Sequence, residues 1–177
     1  MNLRDAREFY LNKKYKEIYV PTLVDADVIN ITCPAKEDLK NDNDLYHVAS
    51  AEQGFIQLLK DGFPLNGKYF SISSCYRPAD KNKGELYLEW FLKLELFDSI
   101  PKNYSFLLLD ARKLYSEYLK TNPDLITIQP TSIGLDLVYN KIEIGSYGKR
   151  NIVINNKHFE FAYGTGFVPF RLNKAKK

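Results

Sequence analysis

Cysteine is nearly absent from this chain. Two residues in 177, Cys33 and Cys75, are too few and too isolated for a disulfide framework or a zinc site. They read as reduced thiols, which places the protein in the cytoplasm. Histidine is equally scarce: His47 and His158 form no Ser/His/Asp or Cys/His set, and both read as structural. No apolar run approaches the ~18 residues that a membrane-spanning helix requires. The opening MNLRDAREFYLNKK is charged throughout and does not read as a signal peptide. Charge of one sign is lacking too. Lys and Arg number 25 against 22 Asp and Glu, a formal charge of +3 with no arginine-rich run. That balance admits an anionic ligand without marking a nucleic-acid surface. No internal repeat or low-complexity stretch is visible.

Aromatic residues are plentiful: 13 Tyr and 11 Phe, in a chain 45% apolar and 27% charged. This composition describes a globular protein rich in sheet and in ring-stacking surfaces. The length suggests one domain, residues 1–177, able to bury a real core.

The chain is organised around residues 70–97, FSISSCYRPADKNKGELYLEWFLKLELF. Two β-branched and aromatic segments flank a polar turn, which predicts a hairpin. Arg77 stands where the first strand runs out. Period two puts Glu89, Phe91, Lys93 and Glu95 on one face of the second strand. A ring set among carboxylates suits the floor of a pocket that stacks a flat group and holds a cation.

Elsewhere the pattern is coarser. Residues 3–18 carry Leu3, Ala6, Phe9, Tyr10, Tyr15 and Ile18 at helical spacing, followed by a short strand at 19–24 containing Pro21. Residues 25–44 are polar and turn-rich and read as a loop of the kind that supplies lids. A short strand over 45–48 leads to Ser50, a helix N-cap with Gln53 as its capping-box partner, and a helix over 54–60. Residues 104–109 read as a strand and 110–121 as a helix. Strands are predicted at 135–139, 142–144, 152–154 and 158–162. Asp136 and Glu143, seven positions apart, could face each other across the first of these hairpins. They are either two exposed strand charges or a cation site. The closing NKAKK reads as a solvated tail.

CYRPAD, a polar loop and EWFLKLELF together resemble motif 2 of the class II aminoacyl-tRNA synthetases, with Arg77, Phe91 and Glu95 at its functional positions. The helix and Pro21-bearing strand resemble motif 1, which in that family builds a homodimer. Ser50-Ala51-Glu52 resembles the Thr-x-Glu loop that holds an α-amino group, and the capping-box reading stands beside it. LDLVYNKIEIGSYGKR resembles a segment of aspartyl- and asparaginyl-type enzymes and of AMP-forming asparagine synthetase. GTGFVPFR resembles motif 3.

The resemblance implies an α+β fold, an antiparallel sheet flanked by helices, with no anticodon-binding domain. It implies ATP- and magnesium-dependent activation of a small amino acid as its adenylate. Arg77, Glu143 and Arg171 would be catalytic. Phe91 and Arg171 would clamp adenine, with Gly164 and Gly166 letting the backbone lie close to it. Asp136 and Glu143 would hold Mg2+. Ser50, Glu52, Glu95, Ser146 and Arg150 would contact the substrate, Glu52 and Glu95 through its ammonium group. The acceptor could be tRNA, a carrier or ammonia. Departures exist: Ala79 and Tyr87 stand where an acid and an arginine are usual, Phe170 replaces a small or acidic residue, and the helix after motif 3 is missing or reduced to NKAKK. They keep two alternatives open, a binding or regulatory protein without catalysis and an aspartate–ammonia ligase.

Overall fold

The computed structural model describes residues 2–33, 37–81, 83–84 and 86–177. Among these residues, seven strands form one sheet, ordered β1-β4-β5-β9-β8-β7-β6. They are β1 (Lys16–Glu17), β4 (Lys68–Tyr76), β5 (Trp90–Asp98), β6 (Thr127–Pro130), β7 (Gly134–Tyr139), β8 (Ile142–Ile154) and β9 (Lys157–Phe167). All neighbours are antiparallel except β1 and β4. A separate two-stranded ribbon joins β2 (Leu23–Val24) to β3 (Tyr46–His47). The α+β fold expected above is the one found, an antiparallel sheet with helices on both faces.

Alternation along the strands sorts the sheet into two faces. One face buries Phe70, Leu94, Leu96, Leu137, Ile144, Tyr147 and Phe167 beneath α1 (Leu3–Asn12), α4 (Tyr104–Leu119) and α5 (Pro169–Ala175). The other buries Tyr69, Phe97, Ile152, Ile154 and Phe161 beneath α2 (Ala26–Thr32) and α3 (Ala51–Lys60). These two helices cover only one end of that face. The rest carries polar side chains and stays open.

Two slips of strand register border the open part. Leu94 pairs with Phe167 but Glu95 with Thr165, so Gly166 is an extra residue on β9. Leu137 pairs with Gly145 but Val138 with Glu143, so Ile144 is extra on β8. Each bulge re-aims the side chains beyond it. The second turns Glu143 onto the face that already holds Asp136 and Ser146. Buried tyrosines satisfy the carbonyls that the first bulge leaves unpaired. Tyr10 Oη donates to Gly166 O at 2.9 Å, while Tyr115 and Tyr147 donate to Thr165 O at 3.0 and 2.6 Å. Burial holds all three phenols well above their ordinary pKa, so they remain neutral donors.

Several sequence expectations are corrected. The first helix stops at Asn12 rather than residue 18, because Lys14 takes a left-handed conformation (φ 65°) and the chain turns into β1. The strand expected over 19–24 is only Leu23–Val24. The expected loop over 25–44 contains α2, whose Val28 and Ile29 are buried, and a 3-10 turn at Glu37–Leu39. Residues 34–36 of that loop lie outside the described residues. Residues 104–109 are the first half of α4. Leu107, Leu108, Ala111, Leu114 and Tyr115 are buried on its helical face, while Phe106 and Leu109 point outward. A short apolar run does not by itself separate strand from buried helix. Residues 142–154 form one long strand instead of two, and β6 was not anticipated. The closing NKAKK is solvated in part: Asn173, Lys176 and Lys177 are exposed, but α5 runs through Ala175 and buries it, so a helix does lead on from GTGFVPFR.

Candidate functional site

The open face of the sheet is a trough of three adjoining cavities. The first, about 380 Å³, is walled by Ser50, Glu52, Glu95, Arg150 and Tyr163, with Thr32, Cys33 and Leu39 from the α2 region closing one side. The second, about 160 Å³, holds Phe91, Glu143 and Arg171. The third, about 240 Å³, shares Glu143 and Arg171 with it and adds Leu86, Tyr87 and Lys141. Arg77, Lys93, Ser146 and Thr165 line both the first and the second cavity, so they mark the junction.

Period two on β5 brings Phe91, Lys93 and Glu95 to this face, as expected. Glu95 is buried at the base of the first cavity. Its carboxylate accepts Ser50 Oγ at 2.7 and 2.6 Å, Lys93 Nζ at 2.7 Å and the Glu52 amide at 3.2 Å. The Ser50 hydroxyl therefore serves Glu95. Gln53 Oε1 accepts from the Ser50 and Ala49 amides at 3.1 and 2.7 Å and caps α3 from its own side. Glu52 is buried too, and Arg150 approaches it through two nitrogens, at 2.6 and 3.4 Å. Burial pushes the Glu52 carboxyl up and Arg150 pulls it back. Burial also works against the Arg150 charge, but Glu52 outweighs it and the guanidinium stays protonated. Each carboxylate expected to meet a substrate ammonium thus already has a cation of its own. Arg150, expected to contact the substrate, is bound to Glu52.

Arg77 leaves β4 as expected. Its Nε donates to Ala49 O at 2.8 Å, and its guanidinium carbon lies 5.3 Å from the centroid of the Phe91 ring. Phe170 meets the edge of that ring at 5.3 Å. Arg171, carried on the first turn of α5, donates to Glu143 at 2.7 Å. Asp136 pairs across β7 and β8 with Ser146, one bulge away from Glu143. Burial raises its pKa, Ser146 lowers it, and the nearby Glu143 charge raises it further. No group of three or more metal-ligating side chains occurs among the described residues. Two carboxylates on one face fit magnesium in the mode where phosphate oxygens and water complete the shell.

Gly164 and Gly166 sit differently from expectation. A Cβ on Gly164 would lie 2.3 Å from the Tyr147 ring, and one on Gly166 would lie 2.3 Å from Leu94. Both hydrogens face the helix-covered core. Thr165, between them, is the residue that faces the trough. Of Ala79 and Asp80, both in the cavity wall, Asp80 pairs with Lys83 at 3.2 Å.

Sequence reasoning assigned no role to Lys93, Thr165 or Tyr163. The first had a signal: Lys93 lies two residues from both Phe91 and Glu95, so the same period that placed them placed it. Thr165 had none, because the bulge at Gly166 is invisible in the sequence. His47 and His158 lie outside the three cavities.

No family profile matches the sequence, and no curated protein matches it. Solved structures do match the fold. Two structures of a pyrrolysyl-tRNA synthetase from Desulfitobacterium hafniense superpose with TM-scores of 0.72 and 0.71 at 16% and 15% identity, each covering 97% of this chain. A seryl-tRNA synthetase from Pyrococcus horikoshii, solved as a complex with ATP, gives 0.72 at 18% identity, again over 97%. The chain spans 66% and 67% of the two pyrrolysyl chains and 48% of the seryl chain. The fold is that of class II aminoacyl-tRNA synthetase catalytic domains. No helix among the described residues is long and apolar enough to cross a membrane.

Proposed function

We propose that this chain is a single catalytic domain that activates a small amino acid as its adenylate, using ATP and Mg2+. The observation that carries the reading is the junction. Two cations, Arg77 and Lys93, stand where a cavity lined by Ser50, Glu52 and Glu95 meets one lined by Phe91, Glu143 and Arg171. Adenylate formation needs that layout. A substrate carboxylate oxygen bonds to the α-phosphorus of ATP, the bond from that phosphorus to the bridging oxygen breaks, and pyrophosphate leaves with the electron pair. Negative charge accumulates between the two cavities, and preorganised cations there lower the barrier.

The other roles follow from position. Glu52 spends one edge on Arg150 and keeps lone pairs for an ammonium group. Glu95 is saturated and holds Lys93 and Ser50 in place. Phe91 would stack adenine once the Arg77 guanidinium swings from its ring toward the phosphates. Arg171 would likewise exchange Glu143 for a phosphate. Asp136 and Glu143 would then hold magnesium, which supplies positive charge to the departing pyrophosphate. An acceptor, tRNA or a carrier, would take the activated acid, and the protein would work in the cytoplasm. Arg150, which an aspartate–ammonia ligase would need for the side-chain carboxylate of its substrate, is engaged with Glu52, which counts against that alternative.

The test is amino-acid-dependent exchange of labelled pyrophosphate into ATP, with all twenty amino acids at high enzyme concentration. Exchange with at least one is expected, and silence across the whole set removes catalysis. A second reading, a binding protein that retains the pocket, is favoured by Ala79 at a position where related sites carry an acid. ATP binding by calorimetry without AMP production is the result that selects it. The motif 1 likeness adds a homodimer, for which light scattering should give twice 20.6 kDa. A mass of one chain at micromolar concentration rejects it.

A further inference from the structure

Continued in register past Gly164, β9 would set Thr165 opposite Ser146 of β8. That pair does not form. The ladder of β8 and β9 stops at Tyr147 and Gly164. It ends one step short of the junction between the first two cavities, which Ser146 and Thr165 both line. The Ser146 amide donates to the side-chain Oγ1 of Thr165, at 3.3 Å, where a regular ladder would offer it a backbone carbonyl. The Thr165 carbonyl is taken from the core side. Tyr115 Oη on α4 and Tyr147 Oη on β8 donate to it at 3.0 and 2.6 Å. A carbonyl oxygen has two lone pairs, so it is fully engaged. The packing is built around this contact. Both tyrosines are fully buried. A Cβ on Gly145 of β8 would lie 2.5 Å from Tyr147 Oη, and one on Gly164 of β9 would lie 2.3 Å from the Tyr147 ring. Glycine on each strand leaves the room in which that ring lies over both.

We propose that Tyr115 and Tyr147 are positioning residues: by occupying the Thr165 carbonyl they stop β8 and β9 from zipping one pair further, and so hold Ser146 and Thr165 apart where the two cavities meet. The effect on rate rests on reading that junction as the place where the substrate carboxylate meets the α-phosphorus. Neither tyrosine is among the residues that line the three cavities, so each acts through Thr165. A backbone bond from Ser146 N to Thr165 O would bring the strands to the ordinary spacing of about 4.8 Å. It would also take the Ser146 amide away from Thr165 Oγ1, and the two side chains would close on the passage between the cavities. Two donors on one acceptor make the arrangement redundant. With one phenol gone the carbonyl is still held. With both gone it is a buried acceptor without a donor, and the amide that the register places opposite is Ser146 N.

The test compares the wild type with Tyr115→Phe, Tyr147→Phe and the double variant, in which phenylalanine keeps both rings. Crystal structures give the distance from Ser146 N to Thr165 O, and pyrophosphate exchange with the twenty amino acids gives kcat and KM. We expect the double variant to fold, because β8 supplies the missing donor. Its Ser146 N should lie within about 3.2 Å of Thr165 O, a contact absent from the wild type and from both single variants. Its kcat should fall about a hundredfold, the scale of a misplaced reacting pair, with KM for ATP within about twofold. Each single variant should keep most of its kcat. A merely structural role would lower stability and leave kcat of the folded protein unchanged. A double variant that does not fold would show that the carbonyl has no second partner, and would overturn the proposal. So would a bond from Ser146 N to Thr165 O already present in the wild type, a folded double variant without that bond or with wild-type kcat, or a single variant as slow as the double. If no protein supports exchange while the bond appears in the double variant alone, the activation reading falls and the separation of the strands by the two phenols stands.

Discussion

Glu52 and Arg150 show at the scale of one residue how this site trades charge for order. Glu52 keeps 6% of its side chain exposed and Arg150 24%. Replacing Arg150 by alanine strands a buried carboxylate. The fully buried case costs about 3–5 kcal/mol, and with Arg150 partly in water we expect about 2–3 kcal/mol, read by urea denaturation at pH 7. The loss depends on pH in a defined direction. Without Arg150, burial and the Glu95 charge act on Glu52 against Lys93, and its folded-state pKa rises further above the unfolded value. Stability is then fully present below the unfolded pKa and lost as pH rises through the folded one. The penalty of the variant should therefore shrink on acidification. A penalty independent of pH would mean that Glu52 finds another partner. Glu52→Gln in the same background should recover much of the loss.

Among elements, α3 is the most constrained. Gly54 lies inside it, where glycine costs about 1 kcal/mol against alanine. An added Cβ would lie 2.6 Å from Pro21 O and 2.6 Å from Val20 Cγ2. Overpacking costs about 1–3 kcal/mol, and one of the atoms met is a backbone oxygen that cannot turn aside. The clash should win over the propensity, so Gly54→Ala is expected to lower stability by about 1–2 kcal/mol, measured by thermal or urea unfolding. A stabilised variant would show that α3 can lift from the Val20–Pro21 segment.

The elements also mark how far sequence alone reached. The β4–β5 hairpin was legible because its period is strict and its turn chemistry local. So were the capping residues of α3. The length of α1 was not, since the apolar spacing runs past Lys14 and only the backbone conformation there ends the helix. The first half of α4 was misread because Phe106-Leu107-Leu108-Leu109 has no period of its own. At the site, the positions of Arg77, Phe91 and Glu95 followed from the pattern, but their partners did not. That Arg150 closes on Glu52, 98 residues away, depends on which strands lie side by side. The sharing of one face by Glu143 and Asp136 depends on the extra residue Ile144. Neither fact has a local trace.

In the whole molecule, strand order decides where the site lies. β9 is last in sequence yet sits between β5 and β8. Strands β6 to β9 form a meander of neighbours in sequence, and β4 with β5 is another local pair. The β5·β9 ladder joins the two groups. Along it pairing is already weakened by the bulge at Gly166, and the tyrosines from α1, α4 and β8 stand behind it. Arg77, Phe91 and Lys93 lie on one bank of this seam, and Ser146, Thr165 and Arg171 on the other.

A molecule that reaches across the trough would therefore act as a rivet between two halves of the sheet, each able to draw its local pairing from its own stretch of chain. Native-state deuterium labelling should register this as slower opening of the amides of residues 94–98 and 162–167 when ATP is bound, with little change at the outer strands. Uniform slowing across the sheet would mean that the two halves never part on their own.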